Sequence, residues 1–400
     1  MMDCVIELRH ELHRNPELSG VEVQTAERIA RFFEPLRPDM ILKNLGGNGV
    51  AVVFSGTAPG STVLLRAELD ALPIQEINQL PYGSLHPGIA HKCGHDGHMA
   101  ILAAVGLELS ANRPDRGRVV LLFQPAEETG AGAAAVICDP RFTEIAPDFV
   151  FALHNLPGFP AGQTIIRSGS FTSASRGMTV KLFGASAHAA QPETGLSPAI
   201  AMAQIIERLS NVPLDIAPVE EIAFATVVGA KLGEKAFGTA PGEAEIWATL
   251  RTETDAAMEQ IVTYAEKIVN DFADFFNLAV LIEYTDIFSA TINSSRASDI
   301  VRRSSKKNSM LELERPFRWS EDFGCFTAIA EGALFGIGSG VGIPELHNNH
   351  YDFPDEVITP ASQIFLQIIE QCLAGSLSDY AGQKGVEIWG KQSDLQSAHG

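Results

Sequence analysis

Basic residues are scarce in this sequence. Lysine and arginine number 29 against 49 aspartates and glutamates, a formal net charge of −20, whereas a nucleic-acid backbone or an anionic membrane face is bound through clustered cations. Both partners are set aside on that ground, and the acidic surplus fits a soluble enzyme. Also missing is any apolar run of transmembrane length, and residues 1–15 carry Asp3, Glu7, Arg9 and Glu11 where a signal peptide needs an apolar centre. A cytoplasmic protein is the expectation. Cysteine is sparse as well: Cys4, Cys93, Cys138, Cys325 and Cys372 are odd in number and lack the spacing of a disulfide framework, in keeping with a reducing compartment. All but Cys93 read as packing residues. What the chain does have is 400 residues at 46% hydrophobic content, enough to bury one or two cores and more in keeping with two domains than one.

One short stretch concentrates unusual chemistry. Residues 91–99, HKCGHDGHM, place three histidines, a cysteine and an aspartate together; thiolate and imidazole suit borderline-soft divalent metals, and a nearby carboxylate can orient an imidazole through its other N–H. Downstream, the apolar run 119–123 reads as a buried strand that ends at Pro125 and then presents Glu127 and Glu128 side by side. Two carboxylates aimed at one point repel, so one is expected on a metal and the other free to take a proton from the activated water. His154 closes another apolar run, and His347 and His350 lie in ELHNNHYDF.

The order of elements gives the architecture. Residues 3–35 show helical spacing broken at Pro16 and Gly20, which predicts two helices. Strand-like runs at 49–56 and 61–69 follow, and Asp70, the Glu127–Glu128 pair and His154 each stand just beyond a strand end, where open α/β sheets form their ligand crevice. Alternation with helices such as 99–110 predicts a mixed α/β sheet. From 177 to 284 the pattern becomes strand, helix, strand, strand, helix, strand, the order of a ferredoxin-like unit. Metal-type motifs resume only at His347, so this unit reads as an insertion. The expected division is a catalytic domain in two parts, 1–174 and 291–376, a small domain at 175–290, and a C-terminal tail at 377–400.

These residues carry a family resemblance. RHELHRNPELS, RAELDALPIQE, HKCGHDGH, FQPAEETGAGA, ALHNLP, GASAHAAQPETG, WSEDFG and LHNNHYDFPDE occur in the order seen in metal-dependent amidohydrolases, and the chain resembles the branch that contains hippurate hydrolase, N-acyl-amino-acid deacetylases and auxin-conjugate hydrolases. The match runs from Arg9 to about Glu370. The resemblance implies a dimetal peptidase-like catalytic domain with an inserted lid that usually forms a homodimer contact. It also implies two divalent ions (zinc, manganese, nickel or cobalt) held by Cys93, His95, Glu128, His154 and His347, with the cysteine bridging. Glu127 would be the general base that later protonates the leaving amine, and His188 of the lid would reach the scissile carbonyl or the substrate carboxylate. Asp70 and Asp96 would orient ligand imidazoles, while His91, His98 and His350 are structural.

The implied activity is hydrolysis of a carbon–nitrogen bond outside peptides: removal of the acyl group, whether acetyl, benzoyl or indolyl-acetyl, from a small N-acyl amino acid. A dipeptidase or carboxypeptidase of the same chemistry is the alternative, and a metal-holding protein that has lost catalysis is the alternative from another class. Retention of Glu127, which a metal does not require, argues against the last. A thiol hydrolase built on Cys93 and His95 would keep its activity in chelators. The chain departs from the family pattern at Glu68, where aspartate is usual, at Lys92, whose cation would help hold the thiolate, and at Ser175, Ser197 and Gly238 of the lid.

Overall fold

The computed structural model describes residues 2–212, 222–306 and 309–374; the tail expected at 377–400 lies outside them. Two helices open the chain, α1 (Met2–Arg14) and α2 (Val23–Phe33), separated where Pro16 and Gly20 stand. Asp3 in the first turn of α1 and Arg14 in its last suit the helix dipole.

Next come β1 (Met40–Leu45), β2 (Gly49–Ser55), β3 (Ala58–Glu68), α3 (His95–Ala111), β4 (Arg116–Gln124), α4 (Gly132–Cys138), β5 (Phe149–Pro157), β6 (Thr164–Ile166) and β7 (Gly169–Thr172). The inserted part holds β8 (Ala174–Phe183), β9 (Ala187–His188), α5 (Ala199–Ser210), β10 (Ala223–Leu232), β11 (Thr239–Ala240), β12 (Glu243–Thr252), α6 (Asp255–Phe275) and β13 (Ala279–Phe288). The chain then returns through β14 (Thr291–Asn293), α7 (Ser295–Ser304), β15 (Met310–Glu312), α8 (Gly324–Thr327), β16 (Glu331–Gly340) and α9 (Ile358–Ala374).

The large sheet has the order β1-β2-β4-β3-β5-β16-β6-β15. Its centre, from β4 through β3 and β5 to β16, is parallel, and β1, β2 and the β16–β6 pair add antiparallel contacts. It is the mixed sheet expected. Central strands bury both faces, as Val119–Phe123 does entirely, which is why they read as unbroken apolar runs. One face packs on α1, α2, α3, α7 and α9, and the other on α4 and Phe142, Phe171, Phe323 and Phe326.

Helix α3 is apolar all round, buried from His95 to Gly106, as a helix sandwiched between sheet and further helices must be. The closing stretch Asp355–Ala374 is apolar and long enough to cross a membrane by length and composition, a property the sequence reading missed. Here it is a core helix, with Ile364, Phe365 and Ile368 packed into the main cluster.

The small sheet is antiparallel throughout, in the order β10-β12-β8-β13, and α5 and α6 lie together on one face. With the chain order β-α-β-β-α-β, this is the ferredoxin-like arrangement. It encloses its own core of Met178, Val180, Ile205, Ile246, Ile261 and Val269. Arg251 of β12 ties it to the larger part by donating to the Arg318 carbonyl and the Ser320 hydroxyl, each at 2.9 Å.

Candidate active site

The centre forms where four parallel strands of the large sheet end. Glu68 closes β3 and Asp70 stands just beyond it; the turn after β4 carries Glu127 and Glu128; His154 lies near the end of β5; and the loop after β16 brings His347. Cys93 and His95 enter at the start of α3, past Gly94. That glycine has φ +91°, and a Cβ there would fall 2.6 Å from the Asn155 side chain, so any larger residue would push the metal-type loop off β5.

Donor atoms converge. The Cys93 sulfur lies 3.5 Å from His154 Nε2 and 3.4 Å from His347 Nε2. His95 Nε2 is 3.8 Å from both Glu127 Oε2 and Glu128 Oε1, and His347 Nε2 is 3.8 Å from Glu128 Oε1. Two overlapping sets result, Cys93–His95–His154 and Cys93–Glu128–His347, each with its ligand atoms within 4.8 Å of one another. Cys93 is common to both. Thus the structure brings together all five residues named as ligands, with Glu127 beside them.

The imidazoles are oriented to present lone pairs. His95 Nδ1 donates to the Asp70 carbonyl at 2.9 Å, with the Asp70 carboxylate at 3.4 Å; His154 Nδ1 donates to the Asn155 carbonyl at 2.9 Å. Each Nε2 then faces the cluster, and that of His95 is buried without a hydrogen-bond partner, as is Glu128 Oε1. Such orphaned atoms are costly unless a cation or water meets them. The donor set also carries too much negative charge. Burial and neighbouring carboxylates push Glu127 well above the carboxylate range, burial pushes Glu128 up to about 7, and burial with the Glu128 charge raises the Cys93 thiol. Sulfur, imidazole and carboxylate ligands with a charge excess fit a pair of divalent cations.

Asp70 is itself fixed, accepting from Ser19 Oγ at 2.7 Å and the Glu128 amide at 3.0 Å. Asp96 differs from expectation. It touches no candidate ligand imidazole, because Arg9 and His13 of α1 claim it at 3.0 and 2.8 Å; it anchors that helix against α3 instead. Lys92 also departs from expectation: its ammonium donates to Glu76 at 2.6 Å and the Tyr351 carbonyl at 2.7 Å, not to the thiolate. His91 is buried, and burial lowers it to about 4, so it is neutral. His350 meets Asn78 at the surface.

Sequence reasoning gave no role to the layer beneath Glu127. Arg66, fully buried in β3, pairs with Glu68, Glu321 (2.8 Å) and Asp322 (2.6 Å) and donates to Gln124 at 2.8 Å. Glu321 and Asp322 have carboxylate oxygens within 4.8 Å of Glu127. Glu68 also accepts from His98 Nδ1 at 2.6 Å, while His98 Nε2 accepts from the Asn155 amide at 3.2 Å. An arginine inside an otherwise apolar strand run, and an acidic pair ahead of Phe323, were the available signals.

His188 is not brought to this centre. It is exposed on β9, opposite Thr239 of β11, with Nδ1 accepting from the Ala190 amide at 3.0 Å, and it is absent from the walls of the cavity at the centre. That cavity, about 500 Å³, has Cys93, Glu127, Glu128, His154 and His347 at its floor, a volume suited to a small organic ligand.

Comparison with known proteins agrees with this geometry. The model of the family described as "Peptidase family M20/M25/M40" matches residues 64–371. An N-acetyl-L-cysteine deacetylase of Bacillus subtilis is 30% identical over 376 residues, 92% of this chain and 88% of the relative. A hippurate hydrolase of Campylobacter jejuni is 29% identical over 90% of this chain and 94% of its own. Among solved structures, a Staphylococcus aureus chain superposes with TM-score 0.83 at 26% identity, covering 92% of this chain and 96% of that one. A dinuclear metal binding peptidase of B. subtilis gives 0.78 at 25% identity, covering 93% and 98%.

Proposed function

The chain belongs to peptidase family M20/M25/M40, and from that premise we propose that it is a metal-dependent amidohydrolase that removes the acyl group from N-acyl amino acids. The observation that carries the reading is the different company of the adjacent glutamates: both lie with His95, but Glu128 also joins Cys93 and His347, while Glu127 joins Glu321 and Asp322. A metal-holding protein needs the first and not the second.

Cys93, His95, Glu128, His154 and His347 are the residues that would hold two divalent ions, with Cys93 common to both. Such ions, when bound, supply Lewis acidity to a water and to the amide carbonyl. This chain's own groups do the rest. Glu127, 5% exposed, accepts the proton of the attacking water and returns it to the amide nitrogen, which must leave as a neutral amine. Arg66, held by three carboxylates, fixes the floor on which Glu127 rests. Asp70 orients His95. The apolar residues lining the cavity lower the local dielectric, so each charge acts at greater strength.

In the same proposal His188 joins the substrate only when the small domain, or that of a second copy, closes over the cavity. A homodimer through the small domain is supported by its open sheet edges, where Val228, Leu232 and Leu281 are exposed on β10 and β13. Cys93, Cys138 and Cys325 form no disulfide, which supports a reducing, cytoplasmic setting. Zinc, manganese, nickel and cobalt all suit the ligands. A dipeptidase is the second reading, favoured by Glu345 at the cavity, whose carboxylate could receive an N-terminal ammonium. Reconstitution with each metal, followed by a hydrolysis screen of N-acyl amino acids against dipeptides, tests both: N-acyl substrates are expected to be cleaved, and cleavage of dipeptides alone would overturn the first reading.

A further inference from the structure

The connector between α1 and α2 runs along the edge where the site forms. Leu18 pairs with Ala71 as a short parallel bridge, the Ala71 amide donates to the Glu17 carbonyl at 2.8 Å, and Ser19 Oγ donates to Asp70 at 2.7 Å. At the end of the connector stands Glu22, whose side chain is fully buried although it occupies the N-cap of α2. A carboxylate at that position ordinarily bonds the first amides of its own helix. Glu22 does not, because Glu17 takes that task, accepting from the Gln24 and Thr25 amides at 3.2 and 2.7 Å. The Glu22 carboxylate is spent elsewhere. Its Oε1 accepts from the Gly20 amide at 2.7 Å and the Ala126 amide at 2.8 Å, and its Oε2 accepts from Asn48 Nδ2 at 2.9 Å. Burying a carboxylate on neutral donors is costly.

The bond to Ala126 is the long-range one, spanning 104 positions. Ala126 immediately precedes Glu127 and has φ +50°, a left-handed conformation that brings the Cβ of an L-residue against the following carbonyl oxygen. Both polar groups of this residue are held: the amide by Glu22, and the carbonyl by the Gly132 amide at 3.1 Å and Thr129 Oγ1 at 3.2 Å. Backbone strain of this kind persists only where the surroundings over-determine it. The sign of φ at Ala126 sets the course of the chain into Glu127. Glu128 has a separate hold, since its amide donates to Asp70 at 3.0 Å. The two adjacent glutamates are therefore fixed by different acids.

We propose that Glu22 is a positioning residue for the reaction: it clamps Ala126 in the left-handed turn and so fixes the direction in which Glu127 reaches the cavity. The proposal rests on the amidohydrolase reading above, in which Glu127 takes and returns the proton. Glu22 acts through one backbone amide and not on the substrate.

The test compares wild type, Glu22→Ala, Glu22→Gln and the double variant Glu22→Ala with Ala126→Gly, as full-length, metal-reconstituted proteins, on N-acetyl-L-cysteine and N-benzoylglycine. Glu22→Ala is expected to lower kcat about a hundredfold, the scale on which a misplaced group costs rate, with KM nearly constant and metal content unchanged. Glu22→Gln keeps an oxygen for the two backbone amides and is expected to recover most of that loss. Glycine takes a left-handed φ without the Cβ penalty, so adding Ala126→Gly to Glu22→Ala is expected to return about tenfold in kcat, the size of that penalty. Damage to the docking of α2 would not be repaired in this way. In the metal-free proteins, hydrogen exchange of residues 124–130 is expected to quicken about tenfold in Glu22→Ala and to stay near wild type in Glu22→Gln.

Unchanged kcat or unchanged exchange in Glu22→Ala would overturn the proposal while leaving the amidohydrolase reading intact. So would a double variant no faster than Glu22→Ala. Loss of metal from Glu22→Ala would place its effect on Glu128 and overturn the proposal as well. Should Glu22→Ala not fold, Ala126→Val takes its place, because a branched Cβ makes the same φ costlier: kcat is expected to fall with metal retained, and wild-type kcat would refute the clamp. If the wild type cleaves neither substrate, the amidohydrolase reading fails and the positioning role falls with it.

Discussion

Lys92 offers a sharp test of how the centre is held together. Its ammonium is fully buried and donates to Glu76 and to the Tyr351 carbonyl, while its own carbonyl accepts from the His347 amide at 2.8 Å. His347 is otherwise poorly supported: its side chain is half exposed and its backbone sits at φ +63°, a conformation that costs a non-glycine residue energy. Lys92 thus staples the loop 347–351 to the loop of Cys93. Lys92→Met keeps the length and the backbone bond but removes the ammonium. Glu76 retains His13 at 2.9 Å and the Ser84 amide at 2.6 Å, so the loss centres on the Tyr351 carbonyl, left buried and unpaired. That is worth about 1–3 kcal/mol of stability. Loss of a group that supports a ligand typically weakens metal affinity by about 10–100-fold, or roughly 1.4–2.7 kcal/mol. Competition with a graded chelator, followed by metal analysis, reads the affinity; thermal unfolding of the metal-free protein reads the stability. One of the two ions, the one that needs His347, should be lost first. Metal affinity within twofold of wild type would refute the staple. Slower Cys93 alkylation in the metal-free variant, without a change in metal affinity, would restore the idea that the cation serves the thiolate.

Four further outcomes are expected. Glu127→Gln should keep its metal content while turnover collapses, and Glu128→Ala should lose metal; metal analysis showing the reverse would sink the division between them. Cys93 should resist alkylation in the metal-loaded protein and react after chelation, and equal labelling rates would remove it from the ligand set. His188→Ala should lower kcat by about a hundredfold with metal content unchanged; a loss confined to KM would make it a carboxylate-binding residue. The helix α1 anchor should depend on pH: against the opposing effect of burial, Asp96 and Glu76 hold His13 up at about 9, while Glu76 is lowered to about 2 despite its burial. The His13 contribution is complete below its unfolded value of about 6.5 and fades as pH rises through 9; that of Glu76 is complete above its unfolded value of about 4.5 and fades as pH falls toward 2. Thermal unfolding of wild type and His13→Gln should accordingly differ most between pH 4.5 and 6.5 and converge above pH 9; a difference that grows with pH would contradict the anchor.

The legible parts of this molecule were those whose signals are local. Thiolate, imidazole and paired carboxylates within short motifs announce a metal centre because few other structures tolerate them together. Strand-like runs alternating with helical stretches announced a mixed α/β sheet, and the β-α-β-β-α-β order marked out the small domain. Asp96 was misassigned because proximity in sequence to His95 said nothing about α1, whose Arg9 and His13 reach it across 87 and 83 positions. Trp319 and Phe317 were invisible as a pocket because their partners, Phe159 and Phe288, come from other elements.

The charge arrangement of the site was illegible for a deeper reason. Arg66 and Asp322 stand 256 positions apart, and neither has meaning until the sheet folds. Once it does, Glu68, Glu127, Glu321 and Asp322 lie around one buried guanidinium, with Asp70 and Glu128 further along the same edge. Three of these, Glu68, Glu321 and Asp322, are paired directly with Arg66, and Asp70 is held low by His95 and its hydrogen bonds despite full burial. Glu127 and Glu128 are raised, and burial raises Asp322 to about 8 as well, against the lowering effect of Arg66. Arg66 therefore offsets the floor only in part, and the cation deficit reaches the edge where divalent cations would be held by Glu128 and a proton would be taken by Glu127. Replacing Arg66 with a neutral residue would deepen that deficit at Glu68, Glu321 and Asp322, so an arginine that is no candidate ligand limits how much uncompensated charge this centre carries.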